Sequence, residues 1–157
     1  MTTGIPKATL IRIVQSYYDA VDSLNAERIA SLYLPAPSTT LQFNADPPIV
    51  TVEAIRAFSA QFTQAVAGIK HSMIEIWTNP LMGGVVPVNL PPARTSSTVT
   101  VVSTALPTFS VRSASGVTSL ALPATSIFTI DKQREKFVSV HNMFDIAKVF
   151  AAVQSST

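Results

Sequence analysis

The apolar residues of this chain change their spacing near Gly68. Before it they recur every three to four positions, the period of a helix with one buried face. After it the segments alternate and are rich in Val, Ile, Thr and Ser, the pattern of strands with one buried face. Helices first and strands afterwards predict an α+β domain rather than repeated βαβ units. The architecture expected is a set of N-terminal helices packed on a curved antiparallel sheet.

The helical part divides at its punctuation. Leu10, Val14, Tyr17, Val21 and Leu24, widened by Ile13, form the stripe of a first helix that Pro6 suits as an opening. Asn25 caps a shorter second helix carrying Ile29, Leu32 and Tyr33, stopped by Pro35. A short strand is read over Thr39 to Phe43, and Asp46-Pro47-Pro48 is a loop. Thr51 caps a third helix whose buried side carries Ile55, Phe58, Phe62 and Val66, with Gly68 closing it. Strands follow over Ile69 to Thr78, Ser97 to Leu106, Val117 to Ile130 and Lys136 to Phe144. Between the first two, Asn79-Pro80, Gly83-Gly84, Pro87 and Pro91-Pro92 mark a long irregular connection, read as a loop or a flap over a pocket. Pro107 and Pro123 cannot donate to a ladder and must sit at an edge, bulge or bend.

A chain of 157 residues fits one domain, read over 1–157. Apolar residues make up 47% and charged residues 13%, which favours buried surface in an oligomer or an apolar cavity. The net charge of +2 contains no basic run, and aromatics do not interleave with basic residues, so nucleic acid is not an expected partner. With no cysteine, disulfides and thiolate chemistry are excluded. The two histidines lie far apart, so no metal is expected, and the phosphate-binding glycine loops and the Gly-x-Ser-x-Gly elbow are absent. No cofactor is expected. The start lacks a charged segment followed by an apolar run, and no stretch is long enough for a span. A soluble, cytoplasmic protein without a membrane partner is the expectation.

Several segments resemble one known superfamily. Val14-Gln15-Ser16-Tyr17-Tyr18-Asp19-Ala20-Val21-Asp22, followed by Glu27-Arg28-Ile29-Ala30-Ser31-Leu32-Tyr33, resembles the opening of the SnoaL-like, nuclear transport factor 2-like superfamily. So does Val52-Glu53-Ala54-Ile55-Arg56-Ala57-Phe58 with His71 opening the next strand, and so does the closing hairpin of Phe128 to Asp131 and Val138 to Asp145. The resemblance implies a cone-shaped, cystatin-like α+β barrel, often a homodimer through the outer sheet face. Its members include polyketide cyclases, ketosteroid isomerases, scytalone dehydratases and limonene epoxide hydrolases, and others that only bind ligands. Such a fold does not carry one function.

Tyr17 lies on the buried stripe, where the resemblance places the oxyanion-hole tyrosine of ketosteroid isomerases; a core tyrosine bonded to backbone is the alternative. Asp22 and His71 match a dehydratase-like pair, in which a carboxylate fixes the imidazole tautomer and the other ring nitrogen handles a proton. The second histidine of that pattern is missing from Val99 to Leu106. Unbroken alternation puts Met73, Glu75 and Trp77 on the face of His71, whereas the other parity puts Ile74 and Ile76 inside. Asp46 stands near where isomerases of the superfamily carry their base. Ser126 and Asn142 take the positions of the cyclases' titrating pair, so Asn142 is left to orient a ligand oxygen. Phe58 and Phe144 complete the expected apolar lining, and His141 is expected to face outward.

The function expected is a cofactor-independent isomerase, cyclase or dehydratase of secondary metabolism. It would act by acid–base catalysis on a hydrophobic polyketide- or terpenoid-like small molecule. The alternative is a ligand-binding or dimerisation module of the same fold.

Overall fold

The computed structural model describes residues 5–78, 97–113 and 116–154. The elements run α1 (Lys7–Asp22), α2 (Ala26–Ser31), β1 (Thr40–Phe43), β2 (Ile49–Val50), α3 (Val52–Ala65), β3 (Gly68–Trp77), β4 (Thr98–Ser113), β5 (Gly116–Ala121), β6 (Ala124–Asp131), β7 (Lys136–Met143) and α4 (Ile146–Gln154). The expected flap between residues 80 and 92 lies outside the described residues. Among them, no helix is long and apolar enough to cross a membrane.

The helix starts follow their caps. The Asn25 side chain accepts from the Arg28 N–H, and Thr51 accepts from the Ala54 N–H. α1 buries Leu10, Ile13, Val14, Tyr17, Tyr18 and Ala20. Helix α2 ends at Ser31, so Tyr33 leaves the helix and forms a bridge to Phe137 instead. Gly68 does not close α3, which ends at Ala65; Val66 is already extended, and Gly68 begins β3.

The seven strands form one curved, unclosed sheet in the order β2-β1-β7-β6-β4-β3, with β5 also on β4. It is mixed rather than wholly antiparallel, because β1 lies parallel to β7. These two strands are distant in sequence and need no hairpin between them. The 16-residue β4 pairs with β3 on one side and, on the other, first with β6 and then with β5. Pro107 stands where that neighbour changes, after Ala105↔Ala124 and before Thr108↔Ala121. Its carbonyl accepts from the Leu122 N–H, so its missing donor faces the Leu122-Pro123 corner and β4 continues past it. Pro123 in turn divides the expected strand over 117–130 into β5 and β6.

One irregularity decides which side chains enter the cone. On β3, Met73 and Ile74 together oppose the single residue Ala105, and Met73 has φ 51. This is a bulge with its extra residue left-handed, and it reverses the alternation beyond it. Ile74 and Ile76 therefore pack on the main core. That core lies between α1, α2 and the concave sheet face, around Val14, Phe128, Phe137 and Val140. A second cluster around Ile69, Phe109, Val111 and Val149 lies where α4 covers β4.

Candidate functional site

The concave face holds a pocket that opens at its mouth, with an inner cavity of about 60 Å³. Its upper wall is aromatic. Phe43, Phe58, Phe62, Phe109 and Phe144 all line it and form a closed circuit. The successive ring centroids are 5.2, 6.2, 6.2, 5.7 and 5.9 Å apart, within the range of favourable aromatic pairs. The collar is drawn from β1, α3, β4 and the residue after β7, so it exists only in the folded chain.

The polar groups beneath the collar come from α1, β3, β6 and β7. Tyr17, Tyr18, His71, Ser126 and Asn142 line the same pocket. Ser126 Oγ donates to Asn142 Oδ1 at 2.7 Å, which orients the amide so that its Nδ2 donates to the Tyr17 hydroxyl at 3.0 Å. Tyr17 thus receives a hydrogen bond from Asn142, and the buried Tyr33 hydroxyl is its other polar neighbour. Burial raises its pKa to about 12, against the lowering effect of the Asn142 bond, so the phenol stays protonated across the physiological range. Tyr18 bonds Ser103 through its hydroxyl. Its pKa is also raised by burial, with Ser103 and Ser126 opposing.

His71 is fixed from behind by Asp22. The carboxylate, at the end of α1, accepts the His71 backbone N–H at 3.1 and 3.2 Å and meets Nδ1 at 2.6 Å. Because β3 is an edge strand, that N–H has no strand partner, and the helix end supplies one. Lys70 reaches the same carboxylate at 3.4 Å from solvent. The His71 side chain is 8% exposed. Burial pushes its pKa below the ordinary 6.5, outweighing the raising effect of Asp22, and Lys70 lowers it further. At neutral pH the ring is therefore neutral, with Nδ1–H donating to Asp22. Nε2, left as a base, has no partner among the described residues. The tilted Tyr18 ring, 4.7 Å away between centroids, packs against the imidazole.

A depressed histidine pKa favours the folded state when the ring is neutral. Its contribution is complete above pH 6.5 and is lost as pH falls towards the folded value. Asp22→Asn keeps an acceptor but removes the charge that favours imidazolium, so the His71 Hε1 resonance should titrate at still lower pH. An upward shift in an NMR titration would contradict this assignment of the forces.

Of the ten residues singled out from sequence, Tyr17, His71, Asn142, Phe58 and Phe144 line the pocket, and Asp22 stands behind His71. Four do not. Met73 is 77% exposed, Trp77 is 45% exposed and Glu75 is exposed. The Met73 bulge turns all three to the outer face, the side the resemblance assigns to a dimer partner. Asp46 is exposed in the turn after β1, outside the pocket, and its carbonyl accepts from Gln42. His141 is half-buried on the opposite face from Asn142, bonding the Asn44 carbonyl at 2.6 Å. Among the described residues no group of three metal-binding side chains converges.

Sequence reasoning passed over Tyr18, Ser59 and Ser103. Tyr18 follows Val14 by four positions, so its place on the buried stripe was a usable signal. A serine within a Val- and Thr-rich strand or an apolar helix gives none.

The family model for the nuclear transport factor 2 (NTF2) domain matches residues 11–145. No curated protein matches in sequence. Among solved structures, the chain is similar to a protein named as a SnoaL-like polyketide cyclase from Shewanella denitrificans OS-217. The TM-score is 0.65 at 12% identity, over 93% of this chain and 97% of that one. It is similar to AusH from Aspergillus nidulans, with TM-score 0.62 and 16% identity over 89% and 86% of the two chains. It is also similar to TerC, which was co-crystallised with polyporic acid, with TM-score 0.61 and 14% identity over 94% and 99%. Identities this low carry the fold and not the reaction.

Proposed function

The chain belongs to the nuclear transport factor 2 domain family, and from that membership and its pocket we propose a cofactor-independent enzyme that moves a proton on a small hydrophobic molecule bearing an oxygen. One observation carries the reading. A neutral His71, its Nδ1 held 2.6 Å from Asp22 and its Nε2 unpartnered among the described residues, shares an apolar pocket with the Tyr17 hydroxyl, which accepts from Asn142.

The chemistry follows from the roles. Nε2 of His71 takes a proton from a carbon next to a carbonyl, or from a hydroxyl. The electron pair moves towards the substrate oxygen, where the Tyr17 O–H stabilises the growing charge. Asp22 stabilises the imidazolium while it exists, and returning the proton elsewhere on the carbon skeleton completes an isomerisation. Loss of a hydroxide as water, or closure of a ring, uses the same groups. Ser126 and Asn142 do not titrate near neutral pH and serve here as the hydrogen-bond support of Tyr17. The name of one structural relative and the polyporic acid bound by another support an oxygenated, secondary-metabolite-like substrate class.

A model ketone tests the reading. 2-Tetralone offers a fused ring to the collar, a carbonyl to Tyr17 and an acidic C1–H to His71. In D2O the protein should accelerate deuterium entry at C1, followed by NMR. Tyr17→Phe should lower that acceleration by about 10²–10³-fold, the loss usual for one oxyanion donor. Binding of the ketone without any exchange above the buffer rate would favour the competing reading, a binding module that uses the same apolar walls.

A further inference from the structure

The phenylalanine collar contains one hydroxyl that the proton-moving groups do not use. Ser59 lies on α3 between Phe58 and Phe62, is 4% exposed and lines the pocket. Helical hydroxyls commonly bond a carbonyl in the preceding turn, as Ser16 does to Ile13 and Thr63 does to Ala60. Ser59 Oγ makes no such bond, and no other described residue partners it. The Ser59 hydroxyl is open to the pocket, so a ligand oxygen lying there would supply it with a partner. An apolar collar has no packing need for a hydroxyl where alanine would fit.

We infer that Ser59 is a second polar anchor, so that the pocket selects ligands carrying two oxygen functions. One is held at Tyr17 and His71, and the other at the collar by Ser59 Oγ. This rests on the reading of the pocket as a small-molecule site, and it narrows the ligand class: a hydrophobic ring system with a single oxygen satisfies only half of the polar groups presented. Ser59 is assigned to specificity and not to the proton transfer.

The test uses 1-naphthol and 2-naphthol against the 1,5-, 2,6- and 2,7-dihydroxynaphthalenes, which sample different separations of two hydroxyls. Calorimetric titration of the wild-type protein should show at least one diol binding about fivefold tighter than the naphthols, the gain of one hydrogen bond. Ser59→Ala should erase that preference, leave naphthol affinity unchanged and melt no lower than the wild type. Naphthol binding with no diol preference, or a preference that survives Ser59→Ala, overturns the Ser59 assignment alone. A lower melting temperature for Ser59→Ala also overturns it, since the hydroxyl would then have a partner in the protein. If neither naphthols nor diols bind, the small-molecule reading of the pocket fails and the assignment falls with it.

Discussion

Replacing His71 with glutamine should lower protein-catalysed deuterium exchange into 2-tetralone by about two to four orders of magnitude, the range for loss of a positioned general base. Glutamine is close in size and can still bond Asp22, so the change removes basicity and leaves most of the packing. The pH profile separates this from a structural effect. Wild-type exchange should rise as His71 loses its proton, at a pH below the ordinary 6.5 because burial disfavours the charged ring, and then level off through neutrality. The His71→Gln protein should show no such step. Asp22 acts through the ring, so Asp22→Asn should slow the wild type but add little on the His71→Gln background. Additive losses would show that Asp22 has a separate role, and a variant that exchanges as fast as the wild type would remove His71 from the chemistry.

Much of this site was legible because local signals and global fold agree. The stripe of α1 carried Tyr17 inward, Asn25 and Thr51 fixed helix starts, and Asn142 lies inside β7 beside the outward-facing His141. His71 and Tyr17 meet because α1 ends beside the edge strand β3, where Asp22 accepts the otherwise unpaired N–H of His71. The misplaced residues of β3 share one physical reason. Strand alternation is a running count, and a single inserted residue inverts everything after it. Met73 takes the left-handed conformation of the bulge at φ 51, and methionine gives no warning of it as glycine or asparagine would. Glu75 and Trp77 were lost to the pocket by that one residue. The bulge on β7 had less effect, since Val138 is the extra residue there and Val140 and Asn142 lie beyond it in sequence. α4 was missed although Ile146 and Val149 are three apart with Val153 four further on, a helical spacing too short to stand out after a run of strands.

The core beneath the polar groups should be as sensitive as the base itself, in stability instead of rate. Phe128 is fully buried, with its ring 5.3 Å from Tyr17, 6.1 Å from Tyr18 and 5.3 Å from Phe137. It is the contact shared by both tyrosines, and it sits on β6 two residues after Ser126 on the same face. Phe128→Ala removes most of a large side chain where the surroundings are held by a sheet on one side and α1 on the other, so the space cannot close. The expected loss is about 3–5 kcal/mol in chemical denaturation. For a chain of this length that corresponds to a melting temperature lower by roughly 6–20 °C. The naphthol affinity of the surviving folded protein should fall as well, because Tyr17 and Tyr18 lose the surface that sets their angle to Asn142 and His71. Phe144→Ala is the contrast: Phe144 is only half-buried and belongs to the collar, so its removal should weaken binding at a smaller cost in stability. A loss below about 1.5 kcal/mol for Phe128→Ala would mean that the core repacks freely. The tyrosines would then be positioned by their hydrogen bonds to Asn142 and Ser103 and not by the packing beneath them.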